Sequence, residues 1–281
     1  MNCTIIVLLY APERLTTTAR IATTLRRSLG EGRLVVVTNG NRISPSVSRE
    51  AFRRTPRVEW VKHDNTGLEF GGYQAGLDLL GTDLPDRLVI LNDTFGHHDL
   101  PTPTLLRCFV HQLSWDMRNF ALGMIYSRPR PMALLGLQST RWIRTHLFAI
   151  DREALSALNQ RIYHPEIDGL ITASPDPEVF FGDQVAGGLR DLIDEFLFRP
   201  GPYNWYAAAP LCDANCSSMA GKARAILQEK YLTMKLEAAD ASLWEILLSR
   251  RNRALNVAEK YLARFRRQLG VFSENAELKD R

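Results

Sequence analysis

The chain has no apolar run approaching the roughly 18 to 20 residues that a membrane-spanning helix needs, so none of its 281 residues is expected to cross a bilayer as a helix. The stretch Cys3 to Tyr10 is apolar, yet it lacks the basic lead and the cleavage site of a secretory signal. Cysteine is sparse: Cys3, Cys108, Cys212 and Cys216 are scattered, and the Cys212 to Cys216 spacing has no second pair to complete a zinc site. All four read as reduced thiols, and a cytoplasmic location is expected. The glycine-rich stretch contains neither Gly-x-Gly-x-x-Gly nor Gly-Lys-Thr, which excludes the dinucleotide fingerprint and the Walker loop. Internal repeats and low-complexity segments are absent as well.

Excess charge is also missing from most of the chain. The net charge is +4, but Arg250 to Arg267 holds seven Lys or Arg against one acid, Glu259, so the remainder is slightly acidic. That distribution argues against a nucleic-acid-binding protein and for one basic face near the C-terminus.

What is present is enough apolar material, 45% of residues, to bury a sizeable core. Cys3 to Tyr10, Leu34 to Thr38, Val58 to Val61 and Leu88 to Leu91 are short apolar runs without polar alternation, the pattern of strands buried on both faces. Thr16 to Leu29 has helical spacing and stops at Gly30. Strand, helix, strand repetition of this kind predicts an α/β fold with a mostly parallel sheet flanked by helices. Further strands are expected at Ala121 to Tyr126 and His146 to Ile150, then a proline-punctuated region from about Pro165 to Pro210. From Ala220 to about Leu269 the pattern reads as helix, and the last dozen residues are polar. The expected division is a domain over 1–212 and a helical C-terminal extension over 213–281.

Open sheets bind ligands outside the carboxyl ends of their strands. Tyr10, Asn39, Asp64, Asn65 and the pair Asn92-Asp93 all fall at such ends. Two segments stand out. In the first, Asn65 to Leu77, Gly67, Gly71, Gly72 and Gly76 crowd a predicted strand-to-helix turn. They read either as backbone that approaches an anion or as a tight turn followed by close helix packing. Glu69 within that cluster is an acceptor for a ribose or sugar hydroxyl. In the second, Leu88 to Thr94, an apolar strand ends in Asn92-Asp93-Thr94. Asp93 reads either as a ligand for Mg²⁺ or Mn²⁺ or as part of an Asx turn or N-cap. His97-His98-Asp99 reads as a polar loop rather than a metal site, since adjacent residues rarely point at one ion.

The phrases Asn65-Thr66-Gly67-x-Glu69-Phe70-Gly71-Gly72-Tyr73 and Leu91-Asn92-Asp93-Thr94-Phe95-Gly96 are similar to the rhamnan-synthesis F family of bacterial polysaccharide glycosyltransferases. The order of elements resembles their GT-A fold, and Thr145 to Glu153 echoes a later segment of the family. The resemblance spans about residues 3 to 210. It implies a nucleotide-sugar donor with its base and ribose near Tyr10, Asn39 and Asp64, and its diphosphate by the glycine turn that includes Gly67, Gly71, Gly72 and Tyr73. Asn92-Asp93 then stands where the family has its metal-binding Asp-x-Asp, with Asn92 and Thr94 in the flanking positions, so Asp93 is the one carboxylate left for Mg²⁺ or Mn²⁺. The acceptor implied is a cell-surface polysaccharide or a lipid-linked glycan.

An inverting transfer needs a carboxylate to deprotonate the acceptor hydroxyl. Glu178 and Asp183 are the candidates, though an acid opening a helix at Gln184 to Phe198 is equally expected from the helix dipole. Arg141 and Arg144 read as diphosphate partners or as ordinary surface arginines, and His146 as a metal ligand, a diphosphate contact or a satisfied core histidine. Leu255, Ala258, Leu262, Phe265 and Leu269 recur at helical spacing among arginines. Such a stripe either packs on its own protein or, through 250–267, lies on the anionic inner face of the plasma membrane. Two rivals to a glycosyltransferase are an inactive module of the same fold and a nucleotidyltransferase. The latter normally has a basic glycine-rich loop after its first strand, where this chain has Tyr10-Ala11-Pro12-Glu13-Arg14.

Overall fold

The strand Cys3–Leu9 (β1) is buried at every position, and its neighbours explain why. It pairs in parallel with Arg33–Asn39 (β2) on one side and Arg87–Asn92 (β4) on the other, while Val58–His63 (β3) extends the parallel set beyond β2. Side chains alternate across a strand. Cys3, Ile5, Val7 and Leu9 therefore enter one apolar cluster, and Ile6 and Leu8 enter the cluster on the opposite face. Burial pushes the Cys3 thiol up to about 12, and all four cysteines are free thiols.

In this computed structural model, residues 2–98, 100–202 and 204–268 are described. The eight-stranded sheet has the order β3-β2-β1-β4-β6-β5-β7. Phe120–Leu134 (β5) and Leu137–Asp151 (β6) form a long antiparallel hairpin, with β6 antiparallel to β4. Val185–Gly187 (β7) pairs with the far end of β5, and Ser242–Glu245 (β8) runs parallel to its first residues. The fold is thus α/β, with a mostly parallel sheet wrapped by helices.

One face is covered by Leu15–Ser28 (α1), Pro45–Ala51 (α2), the short Phe95–His98 (α4) and Pro103–Leu113 (α5). The other is covered by Leu68–Asp78 (α3), Arg152–Ala157 (α6) and the C-terminal part of Cys216–Ala238 (α10). In α1, Leu15, Ala19, Ala22 and Leu25 repeat every three or four residues and are buried, so a single stripe drives docking. A third cluster forms where Pro165–Asp168 (α7), Pro177–Phe180 (α8) and Gly188–Ile193 (α9) pack with the first half of α10 against the outer hairpin. The last helix, Arg250–Gln268 (α11), lies on α5.

Two expectations change. The helix predicted over Gln184 to Phe198 is β7, then α9, then a π-turn over Asp194–Phe198, because Gly187 at φ 56° and Gly188 break it. The helix predicted from Ala220 to Leu269 is two helices with β8 between them. Ala239 caps α10 and Asp240 follows it at φ 54°, and Leu243 and Trp244 find pairing partners on β5. Within 213–268 the chain supplies an edge strand and a wall of the cavity described below. Asp99 and residues 269–281 lie outside the described residues, as do the side chains of His97, His98, Arg266 and Arg267.

Candidate functional site

The connection from β1 through β2 to β3 runs outward to one side, and the chain then returns across the sheet to place β4 on the other side of β1. Such a reversal opens a crevice at the carboxyl ends of the two strands, where no crossover helix fills the gap. A cavity of about 250 Å³ lies there. It is lined by Tyr10 and Arg14 after β1, Asn39 at the end of β2, and Asn65, Leu68 and Glu69 at the start of α3. Asn92, Asp93 and Thr94 close β4, Thr145 and His146 come from β6, and Lys222, Ile226 and Glu229 from α10. Glu69 and Asp93, far apart in sequence, border the same cavity.

Asp93 is 3% exposed, and its Oδ2 accepts from the backbone N–H groups of Tyr10 at 2.6 Å and Ala11 at 2.7 Å. Its own N–H donates to Leu8 O at 3.1 Å, so the carboxylate and its backbone clamp the β4 terminus to the β1 terminus. Arg14 Nη1 lies 3.9 Å from Oδ1. Burial raises the Asp93 carboxyl above the usual range, opposed by the two N–H donors and Arg14. The neighbouring Asn92 makes an Asx turn: its Oδ1 accepts from Thr94 N at 2.9 Å and Thr94 Oγ1 at 3.0 Å. Of the two readings of this motif, the turn and clamp are present. The donor set does not fit a divalent cation, since one carboxylate oxygen of Asp93 already holds two N–H groups and a guanidinium faces the other. Among the described residues, no cluster of three or more His, Cys, Asp or Glu could hold a metal. No step is therefore assigned to Mg²⁺ or Mn²⁺.

The glycines resolve the other way from an anion loop. Gly67, at φ 68°, packs under the ring of Tyr163, where a Cβ would lie 2.5 Å from the ring carbons. A Cβ on Gly72 would collide with Leu8 of β1, and Gly71 is buried in the same turn of α3. Tyr73 is fully buried; its hydroxyl donates to Thr145 O at 3.0 Å and accepts from Asn92 Nδ2 at 2.8 Å. Burial, and then Glu69, push its hydroxyl well above its ordinary value. These residues seat α3 on the sheet and tie it to β4 and β6. Gly67, Gly71, Gly72 and Tyr73 do not line the cavity.

Asn39 Nδ2 donates to Asn65 Oδ1 at 2.7 Å and to Leu68 O at 3.0 Å, fixing the entry to α3. Asp64 is exposed, accepts from Thr66 N at 2.9 Å, and is not brought to the cavity. Its carboxyl is held below the usual range, first by that backbone N–H. Glu69 lines the cavity and makes no hydrogen bond or ion pair among the described residues. Tyr10 is 38% exposed at the rim, with the Arg42 guanidinium 5.1 Å from its ring centre.

Glu178 and Asp183 are exposed and do not line the cavity; Glu178 lies 3.3 Å from Arg190. Arg141 is likewise elsewhere, 2.6 Å from Glu237. His146 is brought in, with Nδ1 3.0 Å from Thr94 Oγ1 and Nε2 2.8 Å from Arg144 Nη2.

Sequence reasoning missed Arg14, Lys222 and Glu229. The Arg14 Nε is buried without a hydrogen-bond acceptor, and Lys222 makes no ion pair among the described residues. Glu229 Oε2 accepts from Thr145 N and Oγ1, both at 3.2 Å, and Oε1 from Lys230 Nζ at 2.5 Å. Burial alone would raise the Glu229 carboxyl, but Lys230, Arg144 and His146 outweigh it and hold it at about 2. The one available signal was spacing: Lys222, Ile226 and Glu229 are four and three apart, one face of a helix.

No protein-family profile and no curated protein matches the chain. Among solved structures it is similar to the mannosyltransferase PcManGT from Pyrobaculum calidifontis in complex with GDP-Man and Mn²⁺, at 15% identity over 93% of this chain and 80% of that one, TM-score 0.41. It is also similar to a 4-diphosphocytidyl-2C-methyl-D-erythritol synthase, at 14% identity over 58% of this chain and 82% of that one, TM-score 0.38. A third is glucosyl-3-phosphoglycerate synthase from Mycobacterium tuberculosis in complex with UDP, at 15% identity over 69% and 65%, TM-score 0.35. The likeness is one of outline. No substrate and no residue role follows from it.

Proposed function

We propose that the chain is a glycosyltransferase that takes a sugar from a nucleotide-diphosphate donor held in the cavity between β1, β4 and α10. The observation that carries this reading is the pairing of an unengaged carboxylate, Glu69, with two cations, Arg14 and Lys222, around a crevice at the topological switch point. A nucleotide sugar presents that pair of demands: anionic oxygens that need cations, and hydroxyls that need an acceptor. Arg14, with a buried Nε lacking an acceptor, and Lys222 neutralise the diphosphate, an arrangement suited to planar and point-charge recognition of phosphate. Glu69 accepts from a sugar or ribose hydroxyl. Tyr10 at the rim offers a ring face to the base.

Glu229 is a poor general base, since a carboxyl held at about 2 has little affinity for a proton. Its work is positioning: it orients Thr145 and balances Lys230. Glu178 and Asp183 stand away from the cavity, so neither receives a catalytic role. The acceptor we assign is a cell-surface or lipid-linked glycan, on the family resemblance of the two sequence phrases.

The test is a thermal-shift and calorimetric titration with uridine, guanosine and thymidine diphosphates, with and without Mn²⁺. Stabilisation by one of them is expected, since a ligand held only by the native state raises the melting temperature. No response to any nucleotide would remove the donor site. Binding without hydrolysis or transfer of the matching nucleotide sugar to any glycan would leave an inactive module of the same fold.

A further inference from the structure

We infer that α11 is a docking helix for the surface of an anionic phospholipid bilayer. The inference is independent of the glycosyltransferase reading, because none of its residues lines the cavity. It rests on an inversion of the usual arrangement, in which a surface helix turns its apolar stripe to the core. Here the side facing the protein is polar. Asn256 is 5% exposed and its Oδ1 accepts from Thr102 Oγ1 at 2.5 Å. Glu259 accepts from Thr104 N at 2.9 Å and Thr104 Oγ1 at 2.8 Å, so its carboxylate closes the N-terminus of α5.

At 100° per residue, a helix that presents Asn256 and Glu259 inward turns Ala258, Tyr261 and Phe265 away from the protein and sets Leu255 and Leu262 on the flank beside them. All of the large ones are open to water: Leu262 is 57% exposed, Phe265 58% and Tyr261 67%. Nothing in the described chain covers this stripe, and a row of large apolar side chains left in water is unfavourable unless something receives it. The charges around it choose the occupant. Arg250, Arg251 and Arg264 are exposed beside the stripe, while Glu259, the sole acid from 250 to 267, is consumed by Thr104. Two copies meeting face to face would bring together two segments that each carry a formal charge of +6. A lipid surface with negative headgroups accepts both features at once: the aliphatic and aromatic side chains enter the acyl boundary, and the arginines stay among the phosphates.

The experiment is cosedimentation of the whole chain with vesicles of phosphatidylcholine alone or mixed with phosphatidylglycerol. Partitioning to the anionic vesicles should exceed that to neutral ones by roughly tenfold or more and fall as salt is raised. The double substitution Leu262→Ser with Phe265→Ser should reduce it by about tenfold or more with no change in melting temperature, since both side chains already face water. Equal partitioning of the double variant and the wild type would overturn the inference, as would no partitioning to anionic vesicles. A dimer in sedimentation equilibrium that the same variant dissolves would assign the stripe to a second copy and equally overturn it. Retained nucleotide binding alongside lost sedimentation would show that the two sites are separate.

Discussion

The two C-terminal helices, adjacent in sequence, are opposite in construction. Helix α10 buries fourteen residues, including the charged Lys230, and its exposed remainder is short. Helix α11 buries Asn256 alone among its described side chains and turns its leucines and phenylalanine to water. The first is held by apolar packing against β6 and α3, with polar groups such as Lys222 and Glu229 reserved for the cavity. The second is held by polar bonds, leaving its apolar side for something else. A helix's apolar stripe therefore does not by itself say which side meets the protein; the partners of its polar residues do.

Breaking the buried pair on α10 should have the largest effect. Glu229→Ala leaves the Lys230 ammonium, 5% exposed, without its carboxylate, and is expected to destabilise the fold by about 3 kcal/mol in urea titration. A loss comparable to that of an α11 surface substitution would refute the contrast. The pH dependence has a definite sign. Glu229 is held at about 2 against an ordinary value of 4.5, so its contribution is complete above about 4.5 and is lost as pH falls towards 2. The urea midpoint of the wild type should therefore drop across that window more steeply than that of Glu229→Gln.

Next in size is the seat of α3. Gly72→Ala drives a methyl into Leu8 and should cost about 1 to 3 kcal/mol, read by the same titration. For the cavity itself, Lys222→Ala should weaken nucleoside-diphosphate affinity by about tenfold while leaving the melting temperature of the free protein unchanged, as expected for one charged hydrogen bond to phosphate. Chelation by EDTA should leave that affinity intact. An absolute requirement for Mn²⁺ would mean that Asp93 releases its backbone donors to take a cation. The smallest effects belong to α11, where Leu262→Ser should change stability by less than about 0.5 kcal/mol and Asn256→Ala by about 1 kcal/mol.

The parallel half of the sheet was legible because buried strands advertise themselves as unbroken aliphatic runs, as in β1, β2 and β4. The strand ends and the entry to α3 were legible too, and Tyr10, Asn39, Asn65, Glu69, Asn92 and Asp93 line one cavity. The glycine cluster left two readings open, since close packing against Leu8 and Tyr163 and close approach to a phosphate call for the same missing Cβ. Strand β8 was hidden within a helical pattern: four residues hold too little periodicity to be seen, and pairing with β5 is what makes them a strand.

Local patterning, then, determined the layered α/β architecture, the position of the crevice and the existence of two amphipathic C-terminal segments. It did so because alternation and helical spacing are written in neighbouring residues. Tertiary structure alone decided that Asp93 clamps β1 instead of facing a cation, that Lys222 and Glu229 join a site begun more than two hundred residues earlier, and that α11 faces outward. Each of those outcomes depends on a hydrogen-bond partner or a neighbouring surface distant along the chain, and no local pattern encodes which one will arrive.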